Sequence, residues 1–511
     1  MIESKSRVIA EQKQRIAVLE EYLRLERARR YGPSSESTQN QMALVFNEAE
    51  AEEAESEVSQ ALEELRELTD TDTDSSGKKR GRKGLSKSLP RHQVHLSLSE
   101  EEKAGAIDTF FTVVKEELDI VPAKARVIEY LQEKAVFVAR DADEQQGESE
   151  RRMVAAPLPL HPLKKCIASV SLLAYIVVSK YCDGLSLYGL EKILKRYGGD
   201  LTRTTLANWV IRLSQELQPV LNLARDHQLS YDYLQIDETR VKVLKEISHS
   251  PHTDKWMWVS KGGPPDKPVI LFDYDPSRGA KVPERLLEGF AGYLQCDGLG
   301  SYDVVCKKYG LTQLGCLDHA RRKFVDAIKG AGKKKKGQAI SKAEVGLGKI
   351  NALYRLERNI KELSPHEKYQ RRQTIAKPLL EDLKRWLEHN LPKTMKDGLT
   401  YKAMYYALNQ WDKLVGYCED GRLSISNAAA ENAIRPFAVG RRRWLFCDTP
   451  AGAKASAIHY SLIETCKANE LNPEEYYRYV LARLPYADTV EKMEALLPWN
   501  VKLELEKKSQ K

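Results

Sequence analysis

The chain has no C-x-x-C pair, although it holds eight cysteines, at 166, 182, 296, 306, 316, 418, 447 and 466. That absence speaks against structural zinc and against a disulfide framework, and it fits reduced thiols in the cytoplasm. The first 165 residues hold no cysteine at all. No apolar run is long enough to cross a bilayer: the longest, Cys166 to Val178, falls short of the ~20 residues a spanning helix needs. The charged start at Glu3 and Lys5 is no secretory signal, so neither export nor a membrane partner is expected. A large charge surplus is missing too. Lys+Arg of 81 against Asp+Glu of 73 gives +8, an excess that serves a polyanionic partner only where it is clustered. Gly330-Ala-Gly-Lys333 lacks the G-x-x-x-x-G-K-[ST] spacing of a phosphate loop, which excludes that nucleotide site.

What is present is size, apolar content and one repeated pattern. At 511 residues with 42% apolar content, the chain predicts several domains with real cores. Tyr233-Leu-Gln-Ile-Asp237 returns sixty positions later as Tyr293-Leu-Gln-Cys-Asp297. Each is a short apolar run ending in a carboxylate, which reads as a buried strand whose aspartate emerges at the strand end. Side by side, such strands bring two carboxylates together. Like charges repel unless a cation lies between them, and a hard divalent cation with oxygen ligands meets that need.

The chain falls into segments around this pair. Residues 1–30 place Ile2, Ile9, Ile16 and Leu23 at seven-residue intervals with Leu19 beside them, a short coiled-coil pattern that predicts a homo-oligomer. A solvated helix packed on its own domain fits the same pattern. Residues 31–90 read as a linker: Glu48 to Asp74 carries twelve acids against the single base Arg66, and then Lys78-Lys-Arg-Gly-Arg-Lys83 follows. The basic run suits a phosphate-contacting arm or plain solvated linker. Residues 91–162 form a small β-rich module with strand-like pieces at Gln93–Ser97, Arg126–Tyr130 and Ala135–Ala139. His92 and His95, without a thiol nearby, read as strand surface residues. Residues 163–225 are helical and resemble a helix-turn-helix. There Thr202 caps a last helix offering Arg203, Thr204, Thr205, Asn208 and Arg212 to DNA. An ordinary helical hairpin inside a core has the same periodicity.

Residues 226–470 carry the chemistry. After the Asp237 run come Lys255–Val259 and Pro268–Phe272, a helix at Pro283–Phe290, the Asp297 run, a further strand at Leu311–Cys316 and a helix at Asp318–Ile328. Three meandering strands and then alternating helix and strand predict an α/β mixed sheet of the ribonuclease H kind, with the two aspartate strands as neighbours. Residues from about 330 to 420 read as a helical insertion, and 471–511 as a C-terminal helical tail. Past the insertion, Asn427 caps a helix presenting Glu431 and Arg435 on one face. A surface i,i+4 ion pair is the bland reading of that spacing. The continuation Gly440-Arg-Arg-Arg-Trp-Leu-Phe446, arginines running into aromatics, suits a phosphate grip. Two aspartates and a glutamate on separate elements suit two Mg²⁺ (or Mn²⁺) ions.

These stretches, with Gly315-Cys-Leu-Asp-His319-Ala-Arg-Arg-Lys-Phe324, Asn427 to Pro436 and Tyr460-Ser-Leu-Ile-Glu-Thr465, resemble the transposases of the insertion-sequence 66 family. The resemblance runs from Arg30 to Asn500. It includes Tyr31-Gly-Pro-Ser-Ser-Glu36, Val121-Pro-Ala-Lys124 and Leu496-Leu-Pro-Trp-Asn500. It implies a DDE enzyme with a ribonuclease H-like core in which Asp237, Asp297 and Glu431 are the catalytic, metal-binding triad. One departure is plain: the family's paired cysteines of an N-terminal zinc module are missing here, so end recognition falls to surfaces such as 78–83 or 202–212.

The expectation is therefore a DNA transposase that cuts element ends and joins them to target DNA by metal-dependent phosphoryl transfer. Its partner is double-stranded DNA, with accessory proteins of the same element, and its location is the bacterial cytoplasm, on the nucleoid when bound. Arg435, Arg441, Arg442 and Arg443 are assigned to phosphates, His319, Arg321 and Arg322 to the active-site rim, and Arg203 and Asn208 to DNA. His319 as an ordinary histidine at a helix start is the alternative for that residue. Glu238 points to the opposite side of its strand and is not a ligand. The rivals are a catalytically silent DNA-binding relative and a nuclease of the same fold.

Overall fold

Alternation of side chains along one strand decides how the molecule is layered. In the computed structural model, which describes residues 2–31, 112, 125–138, 151–247, 250, 253–332 and 339–502, the central strand β3 (Tyr233–Val241) sends Leu234 and Ile236 into one core. Its Val241 goes into another. The described strands are β1 (Lys134–Val138), β2 (Arg151–Ala155), β3, β4 (Lys255–Gly262), β5 (Val269–Asp275), β6 (Tyr293–Gln295) and β7 (Thr312–Leu314). Strands β3 to β7 form one mixed sheet in the order β5-β4-β3-β6-β7. The meander β3-β4-β5 is antiparallel, and β6 and β7 join it in parallel. The rest is mainly helical.

Helices cover both faces of this sheet. On one side, Leu234, Ile236, Trp258 and Leu294 pack with Val282, Leu286, Phe290, Tyr302 and Val305, from helices Lys281–Leu286 and Gly300–Tyr309 and the turn between them. On the other, helix Ala428–Trp444 lies on β3 and β4, and helix Pro450–Ala468 lies along β5. Strand β5 is an edge, and an edge exposes unpaired backbone groups. Here Ser461 and Thr465 of the covering helix close it: Phe272 N donates to Ser461 Oγ (2.7 Å) and Ile270 N to Thr465 Oγ1 (3.0 Å). The Thr465 hydroxyl donates back to Ile270 O.

Several expectations shift in detail. Strand β3 does not stop at Asp237 but runs to Val241, because antiparallel pairing with β4 continues past the aspartate. What stops at Gln295 is β6. Arg126–Tyr130 is irregular and exposed rather than a strand, whereas Lys134–Val138 pairs with Arg151–Ala155, a strand the sequence pattern did not mark. Gln93–Ser97, the acidic stretch and the basic run 78–83 lie outside the described residues.

Helices Leu317–Ala331, Lys342–Asn359, Pro365–Arg371, Lys377–Asn390, Leu399–Asn409 and Trp411–Val415 build a separate helical core, centred on Phe324, Leu353, Leu383 and Met404. The N-terminal helix Ile2–Tyr31 docks on it through Tyr22 and Leu25. Arg24 Nε donates to Gly330 O (3.1 Å), and Glu21 Oε2 accepts from Leu399 N (3.0 Å). This docking leaves Ile9, Ile16, Leu19 and Leu23 exposed. No described helix is long and apolar enough to cross a membrane.

Gly292 holds β6 against β3. Its φ is +129°, and a Cβ there would lie 2.2 Å from Asp232 O, where Tyr293 N donates to the same oxygen (2.8 Å). Gly289 has φ +81° but open space around it. Gly292→Ala is expected to lose roughly 3 kcal/mol of stability and Gly289→Ala only about 1 kcal/mol, read from denaturant midpoints. Equal losses would show that the close approach does not matter.

Candidate active site

The Tyr-Leu-Gln repeat is a register. Tyr233 pairs with Tyr293, Leu234 with Leu294 and Gln235 with Gln295 in the parallel β3–β6 ladder. Each aspartate stands two residues beyond its glutamine, so equal register sends Asp237 and Asp297 out at the same level. The glutamines do more than pair. Gln235 Nε2 donates to Gln295 Oε1 (2.7 Å) and Ser426 O (3.2 Å), and Gln295 Nε2 donates to Ser424 O (2.8 Å) and Gly315 O (3.1 Å). Tyr233 Oη donates to Gln295 Oε1 (2.5 Å). Gln235 Oε1 accepts from Ala430 N (3.1 Å). Two buried amides thus bind both aspartate strands to the segment that starts helix Ala428–Trp444.

That helix supplies the third acid. Asn427 precedes its first residue, yet makes no side-chain cap. Its Nδ2 donates instead to Ile236 O (2.9 Å), and its backbone N to Cys316 Sγ (3.2 Å). One turn later Glu431 is buried, with Oε2 3.5 Å from Arg322 Nη2 and Oε1 3.6 Å from His319 Nδ1. Oε1 has no hydrogen-bond partner. The acids feel one another. Burial, then the charges of Glu238, Glu431 and Asp297, push the Asp237 carboxyl well above its usual range. Burial also raises Glu431, which Arg322 partly offsets. It raises Asp297 too, against the pull of the Leu299 N–H and Arg278. Carboxylates so placed call for a cation.

Glu238 lies on the opposite face of β3. Its Oε1 accepts from Arg278 Nε (2.8 Å) and Nη2 (2.5 Å), and its Oε2 from Tyr302 Oη (2.5 Å). Held so and stacked on Trp256, the Arg278 guanidinium reaches to 3.8 Å from Asp297 Oδ2. Nothing in the local sequence marks Arg278, because its partners come from three other elements. The equal glutamines ahead of the aspartates were a readable signal for Gln235 and Gln295.

The remaining residues divide. His319 and Arg322, in the first turns of helix Leu317–Ala331, face Glu431, and burial beside Arg322 and Lys323 drives the imidazole down to about 3, so it is neutral at ordinary pH. Arg321 is not on the rim: it is buried on the other side of that helix, donating from Nε to Asn351 Oδ1 (2.8 Å) and lying over Tyr354. Helical periodicity explains this, since neighbours i and i+1 point about 100° apart. Arg435 is half-buried one turn beyond Glu431. Arg441 donates to Thr239 Oγ1 (3.4 Å), Arg442 is exposed, and Arg443 donates to Asp183 O (2.7 Å). Of the aromatic pair, Trp444 packs on Phe437 while Phe446 and its neighbour Leu445 stay exposed. Arg203 and Asn208 are exposed on helix Arg203–Glu216, whose main partners are helices Pro450–Ala468, Leu187–Arg196 and Val170–Tyr181 rather than the acid-bearing elements.

The raised carboxyls make a signed prediction. A folded-state value above the unfolded one means stability that is fully present below the ordinary values, 3.8 for Asp237 and 4.5 for Glu431. That stability is lost as pH rises through the raised ones. In chelator, Asp237→Asn is therefore expected to melt above the unaltered protein at about pH 8, the gap closing as pH falls toward about 4. Mg²⁺ should raise the melting temperature of the unaltered protein more than that of the variant. A variant less stable than the parent in chelator contradicts this.

Comparison with known proteins agrees along the chain. A family model described as Transposase IS66 family matches residues 165–455. Others described as IS66 C-terminal element and Transposase C of IS166 homeodomain match residues 461–499 and 18–94. Three proteins of Sinorhizobium fredii (strain NBRC 101917 / NGR234) are similar over most of their length. Uncharacterized protein y4qI is 30% identical, across 96% of this chain and 90% of its own. Uncharacterized protein y4hP is 30% identical across 76% and 70%, and uncharacterized protein y4jD 29% across 82% and 81%. The chain belongs to the IS66 family of transposases.

Proposed function

We propose that this protein is an active DNA transposase whose ribonuclease H-like sheet holds Asp237, Asp297 and Glu431 as one catalytic, metal-binding triad. The observation that carries the reading is the paired register: Gln235 beside Gln295, with both amides bonded to the segment that delivers Glu431. The donor set fits a hard divalent cation, being all carboxylate, mutually repelling and possessed of a buried oxygen without a hydrogen-bond partner on Glu431. Mg²⁺ or Mn²⁺ bound there supplies positive charge for the phosphate oxygens.

The chain's own residues do the rest. Arg322 steadies Glu431, and Arg278, itself pinned by Glu238, which Tyr302 holds in turn, steadies Asp297. Arg240, Arg441 and Arg442 gather beside β3, where burial and then the charges of Arg442 and Arg240 disfavour the charged form of Arg441, and Asp254 is the counter-ion of Arg240. Such a cluster gains by receiving a phosphate backbone. Phe446, exposed just beyond it, gives a base a surface to stack on. The exposed stripe Ile9, Ile16, Leu19 and Leu23 gives a second copy a heptad seam, so that two active sites act on two DNA ends.

The test uses duplexes carrying the inverted repeats that flank the coding sequence, with Mg²⁺. Cleavage at the ends and joining of the freed 3′-hydroxyls to target DNA are expected. Asp237→Asn, Asp297→Asn and Glu431→Gln should each lower both by about 10²–10³-fold or more. Cleavage without joined products would favour a nuclease. Binding without cleavage by the unaltered protein would mean a silent relative and overturn the proposal.

A further inference from the structure

Beside the three carboxylates the structure assembles a donor set of different character. Cys316 immediately precedes helix Leu317–Ala331 and His319 lies in its first turn, so their spacing brings thiol and imidazole to one side. Glu431 comes from the helix docked there by Asn427. The Cys316 sulfur, one His319 nitrogen and one Glu431 oxygen all lie within 4.8 Å of one another. Glu431 is only 5% exposed, and neither its Oε1 nor His319 Nδ1 has a hydrogen-bond partner, although they face each other at 3.6 Å. That is too long for a hydrogen bond. It is close to the about 3.4 Å that separates two nitrogen or oxygen ligands on one tetrahedral cation with bonds of about 2.1 Å.

We propose that Cys316, His319 and Glu431 form a site for a borderline-soft divalent cation of the zinc class, separate in chemistry from the all-carboxylate triad. A thiolate and an imidazole select such an ion over Mg²⁺, which prefers oxygen ligands and keeps its waters. The Asn427 N–H donated to Cys316 Sγ is the kind of outer contact that holds a ligating thiolate in place. Arg322 occupies the neighbourhood of Oε2, which leaves Oε1 as the donor. Three protein ligands leave a fourth position open. Binding of the ion stands on these donors alone. Its consequence rests on the triad reading: an ion held here engages Glu431 and takes it from the aspartates, so zinc-class ions inhibit the enzyme.

Cobalt replaces zinc as a coloured probe. The full-length chain, stripped of metal and then kept in excess Mg²⁺, is titrated with Co²⁺. The expected result is a thiolate-to-cobalt charge-transfer band that saturates at one ion per chain and is bleached by equimolar Zn²⁺. Cys316→Ser and His319→Gln, each confirmed folded by circular dichroism, should lose the band, and Cys166→Ser should keep it. Asp237→Asn should also keep it while losing DNA cleavage, which separates this site from the triad. Absence of the band in the unaltered protein, or its survival in Cys316→Ser, overturns the proposal. An inactive protein with the band intact overturns the transposase reading and not this site.

Discussion

Two buried glutamine amides hold the acid-bearing part of the molecule together. Gln235 and Gln295 meet across the parallel ladder, and between them they bond Gly315 O, Ser424 O, Ser426 O and the Ala430 N–H. A buried amide left unpaired costs about 1–3 kcal/mol, so each of these bonds is enforced by the expense of breaking it. The three acid-bearing elements come from distant parts of the sequence. Their convergence therefore depends on polar satisfaction more than on apolar contact, which is non-directional and would tolerate a slip. A slip of one residue would turn Asp297 away from Asp237.

Against this rigid frame stands an electrostatic cost. Burial raises Asp237, Glu238, Asp297 and Glu431, and neighbouring negative charge adds to the rise at Asp237, Glu238 and Glu431. Glu238 is answered internally by Arg278 and Tyr302. The other three are answered only in part, Asp297 by Arg278 at 3.8 Å, Glu431 by Arg322 at 3.5 Å and Asp237 by a backbone hydrogen bond. The fold thus keeps a local destabilisation, which on the proposed reading a bound cation removes, a familiar property of sites built for function.

Much of this was legible in the chain itself. The repeated Tyr-Leu-Gln-x-Asp pattern carries strand pairing and register in five residues, because two neighbouring parallel strands buried on both faces repeat their chemistry. The meander at β3 to β5 was equally readable from apolar runs and turns. Other features had no local signature. Asn427 looks like a helix cap, but its amide is taken by Ile236 O, a partner across the fold. Arg321 sits between two residues that face Glu431 and is itself turned inward to Asn351. The Ile2–Tyr31 helix shows heptad spacing, yet the residues it buries are Tyr22 and Leu25, off that seam. Arg278 and the Cys316–His319–Glu431 cluster depend on contacts between distant segments, which no window of sequence displays.

The central claim is that Asp237, Asp297 and Glu431 converge on a single hard-cation site. Anomalous diffraction from crystals soaked in Mn²⁺ measures this most directly. Manganese peaks bounded by these three carboxylates, and absent in Asp237→Asn crystals, are the predicted result. Crystals with ordered carboxylates and no manganese among them, or manganese bound elsewhere with the acids apart, would contradict it.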